Sequence, residues 1–232
     1  GINEPPVVMD NELAELLADM PMSAMPVMIG GWSHVVAFTG MTGNLAKAIV
    51  GTRAEAYLLL YDDDQGKSAI KSFRVKPPAA GHEALYPVFA VPLNPGRYTC
   101  RIIVQNAETG RGARGSASLV VPKAAAAALW LDPPLLLKEE TGGGEIGAAP
   151  ESTLSALFGY DPAKYAPWAG NLPAGPRRVY AAVRCALAAP ETELEFAAAD
   201  SLGGVDTDVP VTVVETRPSK NLKTCLIELP FA

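Results

Sequence analysis

The 232-residue chain is 49% hydrophobic and 19% charged, with 21 Gly and 21 Pro, the composition of a turn-rich globular protein and not of a disordered one. Its formal net charge of −6 and the lack of any Lys/Arg run exclude the gathered basic face that nucleic acid requires. No apolar run reaches the roughly 18 residues of a membrane-spanning helix; the region from Ala124 to Leu137 is too short and is broken at Asp132-Pro133-Pro134, so no membrane insertion is expected. A length of this order accommodates two domains of roughly 100 residues each. Cys100, Cys185 and Cys225 are too sparse for a disulfide framework and lack CxxC spacing.

Residues 1 to 9 contain Pro5-Pro6 and no periodicity and read as a tail. From Asp10, the residues Leu13, Leu16, Leu17 and Met20 fall on one helical face before Pro21, which predicts a short amphipathic helix capped by Asp10 or Asn11. The opposite face carries Glu12, Glu15 and Asp19, so the apolar stripe is expected to pack on protein and not on a membrane surface. The segments from Pro26 onward are short and strand-like: Val27 to Ile29, His34 to Thr39, Ala54 to Tyr61, Ala69 to Val75, Leu85 to Val91, Tyr98 to Gln105 and Ser116 to Val121. Strands at this spacing with turn residues between them predict an antiparallel sandwich. In Tyr98 to Gln105, the residues Tyr98, Cys100, Ile102 and Val104 share one face and are expected to point inward.

The alanine run from Ala124 to Ala128 marks a boundary. Beyond it, Leu129 to Leu131, Leu135 to Leu137, Arg178 to Leu187, Leu194 to Ala199, Val209 to Glu215 and Leu222 to Leu229 again read as strands. The stretch from Glu151 to Gly170 contains Pro162 and Pro167, which make a long helix unfavourable and predict an irregular or single-turn insertion. The expected organisation is therefore a tail and short helix over 1–22, a sandwich over 23–122, a linker over 123–128, and a second sandwich over 129–232 with an irregular insertion at 141–176. A loose echo between the halves implies that the second domain lacks a closing hairpin after Leu229-Pro230-Phe231. The chain opens on Gly1 without an initiator Met or signal peptide, which leaves room for a removed upstream segment.

Three features of the first half meet here: the short helix before Pro26, the step Leu93-Asn94-Pro95-Gly96-Arg97-Tyr98, and the hairpin Asn106 to Arg111 leading to Gly115-Ser116-Ala117 and Val120-Val121-Pro122. Together they resemble the immunoglobulin-like C-terminal region of the von Willebrand factor A-related proteins of acidobacteria. Leu93 to Pro122 carries the match, and the rest follows in outline. The resemblance implies a secreted, periplasmic or cell-surface protein with an adhesive A-type domain upstream. The metal-binding Asp-x-Ser-x-Ser motif of that domain is absent from this chain, so the resemblance brings no metal site with it.

Tyr98-Thr99-Cys100 reads as scaffold: Pro95-Gly96 launches the strand, Tyr98 forms a corner that bonds back to backbone, and Cys100 is a buried free thiol with no second cysteine before residue 122. Cys185 and Cys225 could be bridged in an oxidising compartment, or remain separate core thiols. Asp62-Asp63-Asp64-Gln65-Gly66 lacks the alternating ligands and distal Glu of a calcium loop and reads as a polar hairpin turn. His34 and His82 are the only histidines, too few and too separate for a multi-histidine metal site. Tyr160, Tyr165 and Trp168, with Pro162 and Pro167, form the densest aromatic cluster and read first as packing over one sandwich end, with a binding surface as the alternative. The expectation is an all-β, non-catalytic interaction or presentation module of two tandem immunoglobulin- or fibronectin-like sandwiches. Its partner would be a protein or glycan, with no cofactor, and the alternative within binding is a carbohydrate- or peptide-binding pair of sandwiches that uses the Tyr160 to Trp168 segment. An enzyme remains the rival class, but the residues do not assemble a nucleophile, base and orienter.

Overall fold

The structure, a computed structural model, describes residues 17–49, 54–75, 84–123, 129–141, 143–172, 177–187, 193–199, 204–206, 210–219 and 222–231. In chain order the strands are β1 (Leu17–Asp19), β2 (Met22–Ile29), β3 (Trp32–Thr39), β4 (Met41–Thr42), β5 (Ala54–Asp62), β6 (Lys67–Val75), β7 (Ala84–Pro92), β8 (Gly96–Asn106) and β9 (Gly112–Val121). They continue with β10 (Leu129–Leu131), β11 (Leu135–Glu139), β12 (Gly143–Ile146), β13 (Tyr165–Pro167), β14 (Arg177–Leu187), β15 (Ala198–Ala199), β16 (Val205–Asp206), β17 (Thr212–Ser219) and β18 (Leu222–Phe231). Two short helices, α1 (Gly43–Ile49) and α2 (Leu154–Phe158), interrupt them. The fold is all-β in class.

The chain divides into two compact units, Gly1–Ala124 with Gly142–Thr153, and Ala125–Thr141 with Leu154–Ala232. In the first unit one sheet runs β1-β9-β8-β5-β6 and a second runs β12-β7-β3-β2, with β4 also on β7. One core joins the two sheets: Ala56, Leu58 and Leu60 of β5, Cys100, Ile102 and Val104 of β8, Val35 and Ala37 of β3, and Phe89 and Val91 of β7. The period-two alternation produces this directly, since β5 and β8 are buried at every second residue. Ala46 and Ile49 of α1 join the same core, and the Asn106 amide donates to the Ile49 carbonyl at 3.0 Å.

The amphipathic helix expected before Pro21 is overturned where the structure describes it. Leu17–Asp19 is a strand, parallel to β9 through Leu17↔Gly112 and Asp19↔Arg114, and the Met20 N–H donates to the Arg114 carbonyl at 2.8 Å. The open edge of β9 offers backbone partners that outweigh a weak helical period in a short apolar run. Leu13 and Leu16 lie outside the described residues. Gly115 permits the crossing, because a Cβ there would stand 2.7 Å from both the Met20 carbonyl oxygen and Met22 Cβ.

The second unit is built on one six-stranded sheet, β13-β11-β14-β18-β17 with β10 on β14, and a separate β15-β16 pair. One face of that sheet, Ala181, Val183, Cys185, Cys225 and Ile227, is covered by Leu194, Phe196 and Val211. Only Ala198–Ala199 of the strand expected from Leu194 to Ala199 is extended and paired; Leu194 and Phe196 instead pack flat on the sheet. The stretch read as an irregular insertion holds three separate features. Gly143–Ile146 pairs in parallel with Ala84 to Pro87 of the first unit, Pro150–Ser152 is a single 3-10 turn, and α2 packs on β14. Most of the expected linker, residues 124–128, lies outside the described residues.

Candidate functional site

Backbone chemistry builds the first unit's open end. Gly30 and Gly31 have φ of +58° and +82°, the left-handed pair that a two-residue hairpin turn demands. That turn sets Ile29 opposite Trp32 and leaves the Trp32 ring 73% exposed. Nearby, the β5–β6 turn is closed by the Asp62 carboxylate, which accepts the backbone N–H groups of Asp64 and Gln65 at 3.0 and 2.9 Å. Between them runs the β7–β8 turn, where the Leu93 N–H donates to the Ser33 carbonyl at 3.0 Å.

The three turns enclose a groove of about 570 Å³. It is lined by Trp32, Ser33 and Pro92 to Asn94, by Lys67, Ser68 and Ala69, and by Leu60, Asp62, Gln65 and Tyr98. The groove exists because β6 is the edge strand of its sheet and its first half is uncovered. Ala69 and Lys71 are exposed although they stand opposite the core residues Leu60 and Leu58, and Lys67 is exposed opposite the half-buried Asp62. Coverage returns only at Phe73, whose ring meets Phe89 at 4.7 Å.

The carboxylates of the β5–β6 turn are engaged in holding it. Arg97 donates from Nε and a terminal nitrogen to Asp64 at 3.0 and 2.9 Å, and these bonds hold the Asp64 carboxyl below its usual range. The Thr99 hydroxyl reaches the Asp63 carboxylate at 3.2 Å. Lys67 Nζ donates to Gln65 Oε1 at 3.0 Å. A second concavity of about 440 Å³ in the same unit is lined by Asp19, Arg101, Arg114 and Ser116, with Arg114 paired to Asp19 at 3.7 Å.

The Tyr98 hydroxyl donates to the Asn94 carbonyl at 3.0 Å, bridging the Pro95-Gly96 step, and its ring is 5% exposed. Cys100 is fully buried, and burial pushes its thiol up to about 12. His34 Nδ1 lies 2.9 Å from the Trp32 carbonyl oxygen; His82 lies outside the described residues.

The aromatic cluster, read from the sequence first as packing with a binding surface as the alternative, is largely absorbed by packing in the second unit. Tyr160 is 3% exposed and has no face to offer a ligand. Tyr165 packs against Tyr180 with ring centroids 4.9 Å apart, and Tyr180 in turn donates to Glu139 at 2.7 Å. Trp168 is half-buried, with Lys138 Nζ 5.8 Å above its ring and its indole N–H donating to the Asn171 carbonyl at 3.2 Å. Ala166 and Pro167 between them are buried because β13 pairs with β11.

The candidate bridge between Cys185 and Cys225 is likewise absent, since both thiols are free and buried. Cys185 stands opposite Lys223 and Cys225 opposite Val183, which makes the two cysteines diagonal neighbours. Diagonal Cα atoms lie about 7–8 Å apart, beyond the roughly 4.4–6.8 Å that a disulfide spans. Burial, with a smaller contribution from Cys225, pushes the Cys185 thiol up to about 11.

Two features escaped sequence reading. Trp32 carries its own signal, a Gly-Gly pair between two strands that fixes a hairpin and places the next residue at its tip. The second is a buried ion pair. Asp132 and Arg184 meet at 2.6 Å with side chains 2% and 7% exposed, and the Trp130 indole N–H donates to Asp132 at 2.8 Å. Its signal is Arg184 itself, a charge within the apolar run from Val179 to Leu187. No family model, no curated protein and no solved structure matches this chain.

Proposed function

We propose that the chain is a non-catalytic interaction or presentation module of an extracytoplasmic protein, with an immunoglobulin-like first unit and a von Willebrand factor A-type domain upstream. The observation that carries this reading is the groove at the open edge of the first unit, over which an indole stands exposed on a turn fixed by two left-handed glycines. Large exposed aromatic faces of this kind supply contact area at little conformational cost. The immunoglobulin-like assignment draws support from the tyrosine corner, Tyr98 to the Asn94 carbonyl, two residues before a buried cysteine on an antiparallel strand. The non-catalytic reading draws support from Cys100 and Cys185, whose burial holds their thiols protonated and weakly nucleophilic at neutral pH.

The test is retention with a chemical readout. The immobilised chain is exposed separately to the polysaccharide and protein fractions of a bacterial cell envelope, and the retained molecules are recovered and weighed by mass spectrometry. Saturable, reversible retention of an unaltered molecule is expected. Chemical conversion of what is retained, or no retention from either fraction, contradicts the reading.

A further inference from the structure

We infer that the groove beside Trp32 is a carbohydrate-binding site for a neutral glycan chain, an inference that rests on the first unit being an interaction module. A sugar ring has an apolar face of C–H groups and a rim of hydroxyls. It is therefore recognised by a flat aromatic surface with amides and hydroxyls beside it. Trp32 supplies the surface. Its ring is 73% exposed, and its backbone is fixed by the Gly30-Gly31 turn and by pairing to Ile29. Ser33, Gln65, Ser68 and Asn94 line the same groove and present side chains able to donate to and accept from hydroxyls. The volume of about 570 Å³ falls within the roughly 300–1,000 Å³ of small-ligand clefts.

Charge selects a neutral occupant. Among the described residues, the ammonium and the carboxylate lining the groove, Lys67 and Asp62, face each other across the first rung of the β5–β6 ladder. Asp62 is further engaged by the backbone of its own turn, and Lys67 by Gln65. A charged ligand would meet both signs at close range, whereas a polyol meets only hydrogen-bonding groups. A proline-rich peptide fits less well, because its grooves are lined by several aromatic side chains. Here Tyr98, the other aromatic side chain lining the groove, is 5% exposed with its hydroxyl committed to Asn94.

The experiment is a calorimetric titration of the whole chain with cellohexaose, chitohexaose, xylohexaose and mannohexaose. At least one is expected to bind saturably, with affinity weakened about tenfold or more by Trp32→Ala, partly restored by Trp32→Phe, and unchanged by Trp168→Phe. The exposed position of Trp32 leaves the fold intact in these variants, which circular dichroism checks. Binding by none of the four, or binding that survives Trp32→Ala, overturns the glycan assignment. If the chain then still retains an unaltered envelope protein, the interaction-module reading stands and only the carbohydrate assignment falls.

Discussion

At the scale of single residues, the chemistry of the chain is dominated by groups that burial keeps protonated. The Cys100 and Cys185 thiols are pushed up to about 12 and about 11. Tyr57 is held at about 12, chiefly by its hydrogen bond to Glu55, and Tyr180 at about 12, chiefly by burial and then by Glu139. Each binds its proton more tightly folded than unfolded, so the stability it contributes is complete below its unfolded value of about 9 to 10 and is lost as pH rises through the folded value. Urea unfolding at about pH 8 and about pH 10.5 is therefore expected to show a lower midpoint at the higher pH; equal midpoints would contradict these shifts. At neutral pH a thiol reagent should label none of the three cysteines until denaturant is added. Asp132 and Arg184 form a buried ion pair at 2.6 Å. Asp132→Asn leaves Arg184 buried without its counter-charge and should cost about 3–5 kcal/mol in chemical denaturation, and a loss within error would show that the pair is dispensable.

At the scale of elements, strands were legible where one face is buried and the other wet. The alternation in Tyr98 to Gln105 reads directly as β8, with Cys100, Ile102 and Val104 inward, and Tyr98 declared its corner through the Pro-Gly step before it. The N-terminal segment was misread for a physical reason. At Leu17 to Met20 a parallel pairing to β9 satisfies backbone groups, and the pairing partner lies nearly a hundred positions downstream in a sequence that does not announce it. Gly115 is the hidden half of that pairing. Gly115→Val would drive side-chain atoms into the Met20 carbonyl and Met22. It is expected to cost about 1–3 kcal/mol and to raise amide hydrogen exchange first at Leu17 to Met22. Unchanged protection there would mean that the crossing does not depend on the missing side chain. In the aromatic cluster at Tyr160 to Trp168, density of rings in sequence says nothing about which rings a neighbour covers: Tyr160 is buried, whereas Tyr165 and Trp168 are half-buried.

At the scale of the molecule, each unit has its own sheet system and its own core, and the feature without a structural task is the uncovered half of β6 with the groove beside it. That groove could not be read from composition. It depends on three turns meeting in space, on β6 being an edge, and on a tryptophan that a hairpin of two glycines carries clear of the core. Only the last was written locally in the sequence. No helix among the described residues is long and apolar enough to cross a membrane. Trp32 and its neighbours are the proposed place where this chain meets another molecule. NMR mapping of backbone amide and indole shifts, during titration with whichever of the four hexaoses binds most tightly, tests it most directly. Perturbations are expected to concentrate at the Trp32 indole and the amides of Ser33, Gln65, Ser68 and Asn94. Perturbations centred on Tyr165 and Trp168, or no perturbation with any of the four, would contradict it.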